Sequence, residues 1–183
     1  AMAEAAETSV PVIHIGGASP VSQNEMGPMQ NIDSMKSMEA FCKWSRKIYQ
    51  GNRVPEYVAM AARNAMAGTP GPVYLEIAAD TVSGVCEEES VVWIEHYRAT
   101  KSAFGAPDLI EQAADMLIAA KKPVMVLGQV APYGAEYAEK VKELAEYLQI
   151  PVFAQMESRG LFGDESKDYL FTIGEGALAI ADV

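Results

Sequence analysis

Two loop segments carry the residues best suited to bind an anionic ligand. Gly128 and Gln129 follow the apolar run 123–127 (PVMVL), and Arg159 follows the run 150–154 (IPVFA). A glycine at a strand end lets the backbone approach a pyrophosphate, and the amino end of the following helix favours its negative charge. An arginine can form two parallel hydrogen bonds to a phosphate. These residues are candidate nucleotide-binding positions, although the GxGxxG pattern of dinucleotide sites is absent.

Histidine and cysteine form no metal-ligand pattern in the sequence. His14 lies inside the apolar run 11–15 (PVIHI), and His96 is far from it along the chain. Neither has a second ligand at metal-binding spacing, so His14 is expected to be a hydrogen-bonded core histidine. Cys42 and Cys86 are too few for a disulfide framework, and both are expected to be reduced and structural.

The candidate residues need rigid elements to hold them, and the apolar pattern indicates an α/β fold. Short β-rich runs at residues 11–15, 43–48 and 73–77 alternate with helical segments at residues 34–40 and 55–67. Alternating strands and helices are typical of a parallel sheet. Because the run 11–15 has few polar residues, it is predicted to be a strand buried on both faces.

A second unit with the same alternation follows. Helices are predicted at residues 107–120 and 133–149, and strands at residues 123–127 and 150–154. The intervening stretch has no clear period and contains three consecutive glutamates. The predicted organisation is therefore a first domain at residues 1–83, a connection at residues 84–106 and a second domain at residues 107–183.

Composition argues against several classes of partner. The chain has 14 Lys and Arg against 25 Asp and Glu, for a formal charge of −11, which opposes binding to nucleic acid or an anionic membrane. No apolar run approaches the roughly 20 residues of a membrane helix, and a cytoplasmic location is expected. Helical sequences at both ends, with no cap before the first and no strand after the last, lead us to expect a segment of a longer protein.

Several motifs occur in the order and spacing of a known enzyme group. They are PVIHIGGASP (11–20), MGPMQ (26–30), KW (43–44), VPEYV (54–58), GTPGPVYLEIAAD (68–80), KPVMVLG (122–128), IPVF (150–153) and SRGL (158–161). Together they resemble the thiamine-diphosphate-dependent enzymes of the acetolactate synthase, benzaldehyde lyase, 2-hydroxyacyl-CoA lyase and oxalyl-CoA decarboxylase group. The resemblance spans nearly the whole chain, and the stretch 68–80 is its most specific part.

The resemblance implies the later half of a pyrimidine-binding domain at residues 1–83 and most of a Rossmann-like central domain at residues 107–183. It also implies thiamine diphosphate and magnesium as cofactors of the parent protein, which would be a homodimer or homotetramer. Neither the group's catalytic glutamate nor its Gly-Asp-Gly magnesium motif is found here, so no catalytic or metal-binding residue is assigned. Binding of FAD or ADP by the central domain stays open.

Two substrate-channel candidates, Gln30 and Lys43, also come from the resemblance. Gln30 lies in a loop where the group places an aromatic residue, Gln and Glu, whereas Met29 stands here where relatives often have Phe. Its alternative role is a turn amide bonded to its own backbone. Lys43 precedes Trp44 as in relatives and would suit a carboxylate or phosphate, or it is a surface lysine on an edge strand. Arg159 lies where several relatives approach a flavin or a CoA nucleotide.

The expected function is therefore a segment of a thiamine-diphosphate-dependent lyase, carboligase or decarboxylase. Its small-molecule substrate would be a 2-keto acid or a 2-hydroxyacyl compound, and the segment alone would be inactive. One alternative is a non-catalytic regulatory module that binds ADP or FAD in the second unit. Another is a structural part whose first unit is a dimer interface.

Overall fold

The computed structural model describes residues 1–29, 31–98, 104–128, 135–155 and Ser158. The chain divides into two units, Ala1–Lys101 and Ser102–Val183. This division falls inside the predicted connection, and the assignment of each unit to a named domain stays a prediction.

The first unit contains a three-stranded parallel sheet. Strands β1 (Ile13–Ala18), β2 (Trp44–Ile48) and β3 (Val73–Ala78) lie in the order β1-β3-β2. Both outer strands pair in parallel with the central one, so that Ile13 and Trp44 are each in register with Val73. The helices of the unit are α1 (Met2–Glu7), α2 (Ser34–Glu39), α3 (Val54–Met66) and α4 (Ala79–Ser83), and short 3₁₀ turns lie at Val21–Gln23, Gly51–Arg53 and Glu88–Ser90. The predicted parallel α/β class is confirmed.

One face of this sheet forms the core with α3. The buried cluster consists of Ile48, Ala61, Ala65, Val73 and Leu75. Successive strand residues point to opposite faces, so the odd-numbered residues of β3 face α3, and two alanines let the helix approach the sheet closely. The even-numbered residues of β3 are left to line the opposite face, where the polar side chains described below lie.

The burial predicted for the first strand is wrong. The side chains of Ile13 and Ile15 are 37% and 55% exposed, and His14 is also exposed rather than a core histidine. The reason is the strand's position, because β1 pairs on one side only within the described part of the chain. The His14 ring instead lies edge-on to Tyr74, with 5.4 Å between the ring centroids.

The second unit contains a parallel pair of strands, β4 (Met125–Leu127) and β5 (Val152–Ala154), with helices α5 (Pro107–Ala119) and α6 (Ala135–Leu148). Its buried cluster is Leu127, Ala145 and Val152. These strands confirm the two apolar runs as predicted. Among the described residues, no helix combines the length and apolar content needed to cross a membrane.

Candidate functional site

A polar cavity of about 400 Å³ lies at the carboxyl ends of the strands in the first unit. Its volume is within the range of small-molecule sites, and this edge of a parallel sheet is where ligands bind in open α/β folds. Three groups of residues line it: strand residues, the loop after β1 and the start of α2. They are Ala18, Ser19, Asn24, Glu25, Asn31, Ile32, Asp33, Ser34, Met35, Lys47 and Glu76.

The strand residues contribute a buried ion pair to the cavity. The Nζ of Lys47 lies 3.0 Å from Oε2 of Glu76, and their side chains are only 16% and 5% exposed. The hydroxyl of Tyr74 lies 3.5 Å from Oε1 of the same glutamate. Burial raises the pKa of the Tyr74 phenol, while a hydrogen bond with Ser34 opposes this shift. The phenol therefore stays protonated at neutral pH and can donate to the carboxylate.

The sequence analysis did not identify this ion pair, although the strand register places the two residues side by side. Lys47 and Glu76 lie directly opposite each other in the β2–β3 ladder. Along each strand, residues two positions apart point to the same face of the sheet, and this places both side chains on the cavity side. The signal is thus a pair of opposite charges at matching positions of two strands, and it becomes visible only when the strands are aligned.

The outer wall is formed by the loop after β1 and the first turn of α2. Asn24 and Asn31 contribute amides, and Glu25 and Asp33 contribute carboxylates. Asp33 also caps α2, since its Oδ1 accepts a hydrogen bond from the Lys36 backbone nitrogen at 3.1 Å. Because its lysine is already paired with a glutamate, the cavity presents hydrogen-bonding groups and an excess of negative charge.

Of the two substrate-channel candidates, only Lys43 falls on described residues. It precedes β2, at the end of the strand away from the cavity, and its Nζ donates to the carbonyl oxygens of Ala67 and Thr69 at 2.6 and 2.5 Å. Gln30 lies outside the described residues, but Asn31 next to it lines the cavity. Their roles in a substrate channel stay predictions.

In the second unit, the structure brings Gly128 and Ser158 together. The Ser158 hydroxyl donates to the Gly128 carbonyl, and the Gln155 backbone nitrogen donates to the Leu127 carbonyl at 2.9 Å. Ser158 is buried, whereas Gly128 is exposed. A Cβ at Gly128 would meet only the Gln155 side-chain oxygen, at 3.9 Å, so the backbone is open to approach. The other candidates, Gln129 and Arg159, lie outside the described residues.

The described residues form no cluster of metal-ligating side chains. Within the part of the chain that the structure describes, no three histidine, cysteine, aspartate or glutamate side chains are placed to hold a metal ion. Magnesium prefers carboxylate and water oxygens in near-octahedral geometry. We therefore assign no step of chemistry to these residues through such a group.

Comparison with known proteins agrees with the motifs. Residues 110–182 match the family model of the thiamine pyrophosphate enzyme central domain. The chain is 26% identical over 182 residues to human 2-hydroxyacyl-CoA lyase 1, covering 100% of the chain and 31% of that protein. It is 26% identical over 189 residues to oxalyl-CoA decarboxylase of Escherichia coli K12, covering 100% of the chain and 33% of that protein. The resemblance to thiamine-diphosphate-dependent enzymes is confirmed.

One further sequence relative supports the assignment, and one solved structure supports the fold. Acetolactate synthase of Arthrospira platensis is 31% identical over 170 residues, covering 91% of the chain and 29% of that protein. The crystal structure of benzoylformate decarboxylase from Polynucleobacter necessarius superposes with a TM-score of 0.62 at 23% identity, covering 84% of the chain and 28% of that structure. This last similarity establishes the fold alone. The chain spans about a third of the length of the curated lyase and decarboxylase that it matches.

Proposed function

We propose that this chain works as part of a thiamine-diphosphate-dependent enzyme that breaks or forms the bond next to a carbonyl carbon. The substrate would be a 2-keto acid or a 2-hydroxyacyl compound. The observation that carries the proposal is the alignment over the whole chain with a 2-hydroxyacyl-CoA lyase and an oxalyl-CoA decarboxylase. Membership of this enzyme group does not depend on which of these substrates is used.

The polar cavity of the first unit is proposed to face the substrate. Its position at the carboxyl ends of the strands and its volume of about 400 Å³ support this role. The amides of Asn24 and Asn31 are suited to the carbonyl oxygen that both substrate classes carry and to the hydroxyl of a 2-hydroxyacyl compound. The excess of negative charge in the cavity favours this uncharged part of the substrate over a carboxylate. In this proposal the chain binds and orients the substrate, while regions outside residues 1–183 hold thiamine diphosphate and magnesium.

Activity of the full-length protein is the test of this proposal. The purified protein is incubated with thiamine diphosphate and magnesium, and cleavage of a 2-hydroxyacyl-CoA and decarboxylation of a 2-keto acid are followed by mass spectrometry. Replacing Asn24 with Ala should raise KM, whereas Gln112→Ala, an exposed amide on α5, should leave it unchanged. No turnover of either substrate class would contradict the proposal.

Residues 1–183 alone are expected to bind no thiamine diphosphate and to be inactive. The described residues offer no metal site, and without preorganised ligands the cost of ordering the cofactor is not offset. Calorimetric titration of the isolated chain with thiamine diphosphate and magnesium measures this directly. A micromolar dissociation constant would show that the cofactor site lies within this chain.

A homodimer or homotetramer in the cytoplasm is proposed for the parent protein. Large exposed apolar side chains in the segment 84–106 support an assembly, since Val85, Trp93 and Phe104 are 98%, 75% and 99% exposed. Light scattering coupled to size-exclusion chromatography of the full-length protein measures the state. A monomer at micromolar concentration would contradict the assembly but not the catalytic proposal.

A second candidate function is nucleotide binding by the second unit. It is favoured by the open backbone at Gly128, which lies beside Ser158 at the carboxyl ends of β4 and β5. Arg159→Ala should then weaken ADP, CoA or FAD binding to the full-length protein by about 1.5–3 kcal/mol, the range for a charged hydrogen bond. Arg63→Ala, which removes an exposed arginine on α3 in the first unit, is the matched control. Equal affinities for the wild type and the Arg159 variant would leave this unit as scaffold.

A further inference from the structure

We propose that Asp80 is a positioning residue that fixes the outer wall of the polar cavity. This inference rests on the proposed function, which makes that cavity the substrate side of the enzyme. Asp80 does not line the cavity itself. It acts through the loop after β1, because its Oδ2 accepts a hydrogen bond from the Val21 backbone nitrogen at 2.9 Å.

The topology explains why a residue 59 positions away can hold this loop. Asp80 lies just beyond β3, which is the central strand of the sheet, so it is adjacent to the ends of both neighbouring strands. Its own Oδ1 accepts from the Thr81 backbone nitrogen at 3.1 Å, which fixes the orientation of the carboxylate. Thr81 in turn lies with its hydroxyl 3.4 Å from the Ile48 carbonyl at the end of β2. Residues 80 and 81 therefore contact the chain that leaves both outer strands.

The loop itself has little other support. The other hydrogen bonds of its described residues are local, from Gln23 to Pro20, from Asn24 to Val21, from Met26 to Gln23 and from Asn31 to Pro28. Among the described residues from 20 to 29, the bond to Asp80 is the one that ties the loop to a residue distant in sequence. It also satisfies the first backbone N–H of the 3₁₀ turn Val21–Gln23, which the turn cannot pair internally.

The anchored loop carries two of the residues that line the cavity. Asn24 and Glu25 lie three and four positions after Val21, and both line the cavity. A wall that is already ordered loses less conformational entropy when a ligand binds, so the anchor should favour binding without touching the ligand. The charge of Asp80 is used for positioning, because both carboxylate oxygens already accept hydrogen bonds.

Amide hydrogen exchange of residues 1–183, followed by NMR without any substrate or cofactor, tests the inference. Asp80→Ala should speed exchange of the Val21 amide and of the hydrogen-bonded amides of Gln23, Asn24 and Met26 by about tenfold, while the amides of β1 to β3 keep their wild-type rates. Asp80→Asn retains a carbonyl oxygen and should restore most of the protection. Asp115→Ala, which removes an exposed aspartate on α5, is the matched control.

Three outcomes would overturn the inference. The first is unchanged exchange of the loop in Asp80→Ala. The second is faster exchange spread equally over the loop and the strands, which would make Asp80 a general stability residue. The third is a failure of Asp80→Asn to slow the exchange again. Because no substrate is used, each outcome is independent of whether the proposed catalytic activity is found.

Discussion

Lys47 and Glu76 face each other across the β2–β3 ladder, with 3.0 Å between the ammonium nitrogen and a carboxylate oxygen. Both side chains are largely removed from water, and both line the cavity. A buried ion pair is retained only when each charge compensates the other, because the desolvation cost of either charge alone is several kcal/mol. The pair therefore neutralises Lys47, the one lysine among the described residues that line the cavity.

Replacing Glu76 with Gln should destabilise the first unit. The substitution leaves the Lys47 ammonium without its partner in a site where it is mostly buried, and the expected loss in unfolding free energy is about 3 kcal/mol. Replacing both residues, Lys47→Met with Glu76→Leu, should restore stability to near the wild-type value, since no isolated charge remains. Urea denaturation followed by circular dichroism provides the measurement.

The surface pair of Arg53 and Glu56 is the control for this experiment. Its atoms approach to 2.7 Å, yet both side chains are well exposed. An exposed pair is screened by water, so Glu56→Gln should leave the urea midpoint unchanged within error. If Glu76→Gln behaved in the same way, the Lys47 side chain would have to escape to solvent, and the pair would have no structural role.

Much of the fold was readable from the sequence, because the apolar runs are short, continuous and separated by strong turn residues. Strands β3, β4 and β5 fall where the patterns of residues 73–77, 123–127 and 150–154 predict them. The burial of the strands was harder to predict from the sequence. The run at residues 11–15 has the composition of a central strand, but composition does not reveal that β1 pairs on one side only within the described chain, and His14 is consequently exposed.

The candidate site was readable only in part, for a related reason. Lys47 and Glu76 are 29 positions apart, and only the strand register brings them together. Asp80 lies in the most specific motif of the chain, but its hydrogen bond to Val21 depends on the strand order β1-β3-β2. Local patterns specify elements, whereas pairing between distant elements places the polar side chains.

The two cysteines should differ in their reaction with iodoacetamide. Burial raises the pKa of the Cys42 thiol, and the neighbouring Ser45 hydroxyl opposes this only partly. A raised pKa means less thiolate at a given pH, and the thiolate is the reactive form. Cys86 is exposed and should be alkylated first at pH 7.5, while the reaction of Cys42 should be slower and should speed up as the pH is raised. Mass spectrometry of peptides from a time course tests the order, and equal rates for the native protein would contradict it.

Gly16 and Gly17 form a matched pair for testing the packing of β1 on the cavity face. A Cβ at Gly16 would lie 2.9 Å from Cε2 of Tyr74 and closer still to its hydroxyl, whereas a Cβ at Gly17 would meet nothing within 4 Å. Gly16→Ala must displace the Tyr74 ring and should cost about 1–3 kcal/mol, the range for overpacking. Gly17→Ala should be neutral or slightly stabilising. The difference between their thermal midpoints is the measurement, and equal midpoints would show that the tyrosine moves freely.

Lys43 permits a test that separates a structural role from a substrate role. Its ammonium group bonds two carbonyl oxygens just beyond α3, and its stem lies over Gly71, where an added Cβ would come within 2.8 Å of the lysine Cδ. Cations near a helix carboxyl end are favourable, so Lys43→Met should lower the unfolding free energy of residues 1–183 by about 1 kcal/mol. Lys43→Arg keeps the charge and should recover part of that loss.

In the full-length enzyme, a substrate-channel role further predicts a higher KM for Lys43→Met at temperatures where the variant is fully folded. A normal KM together with reduced stability would assign Lys43 to the support of α3 alone.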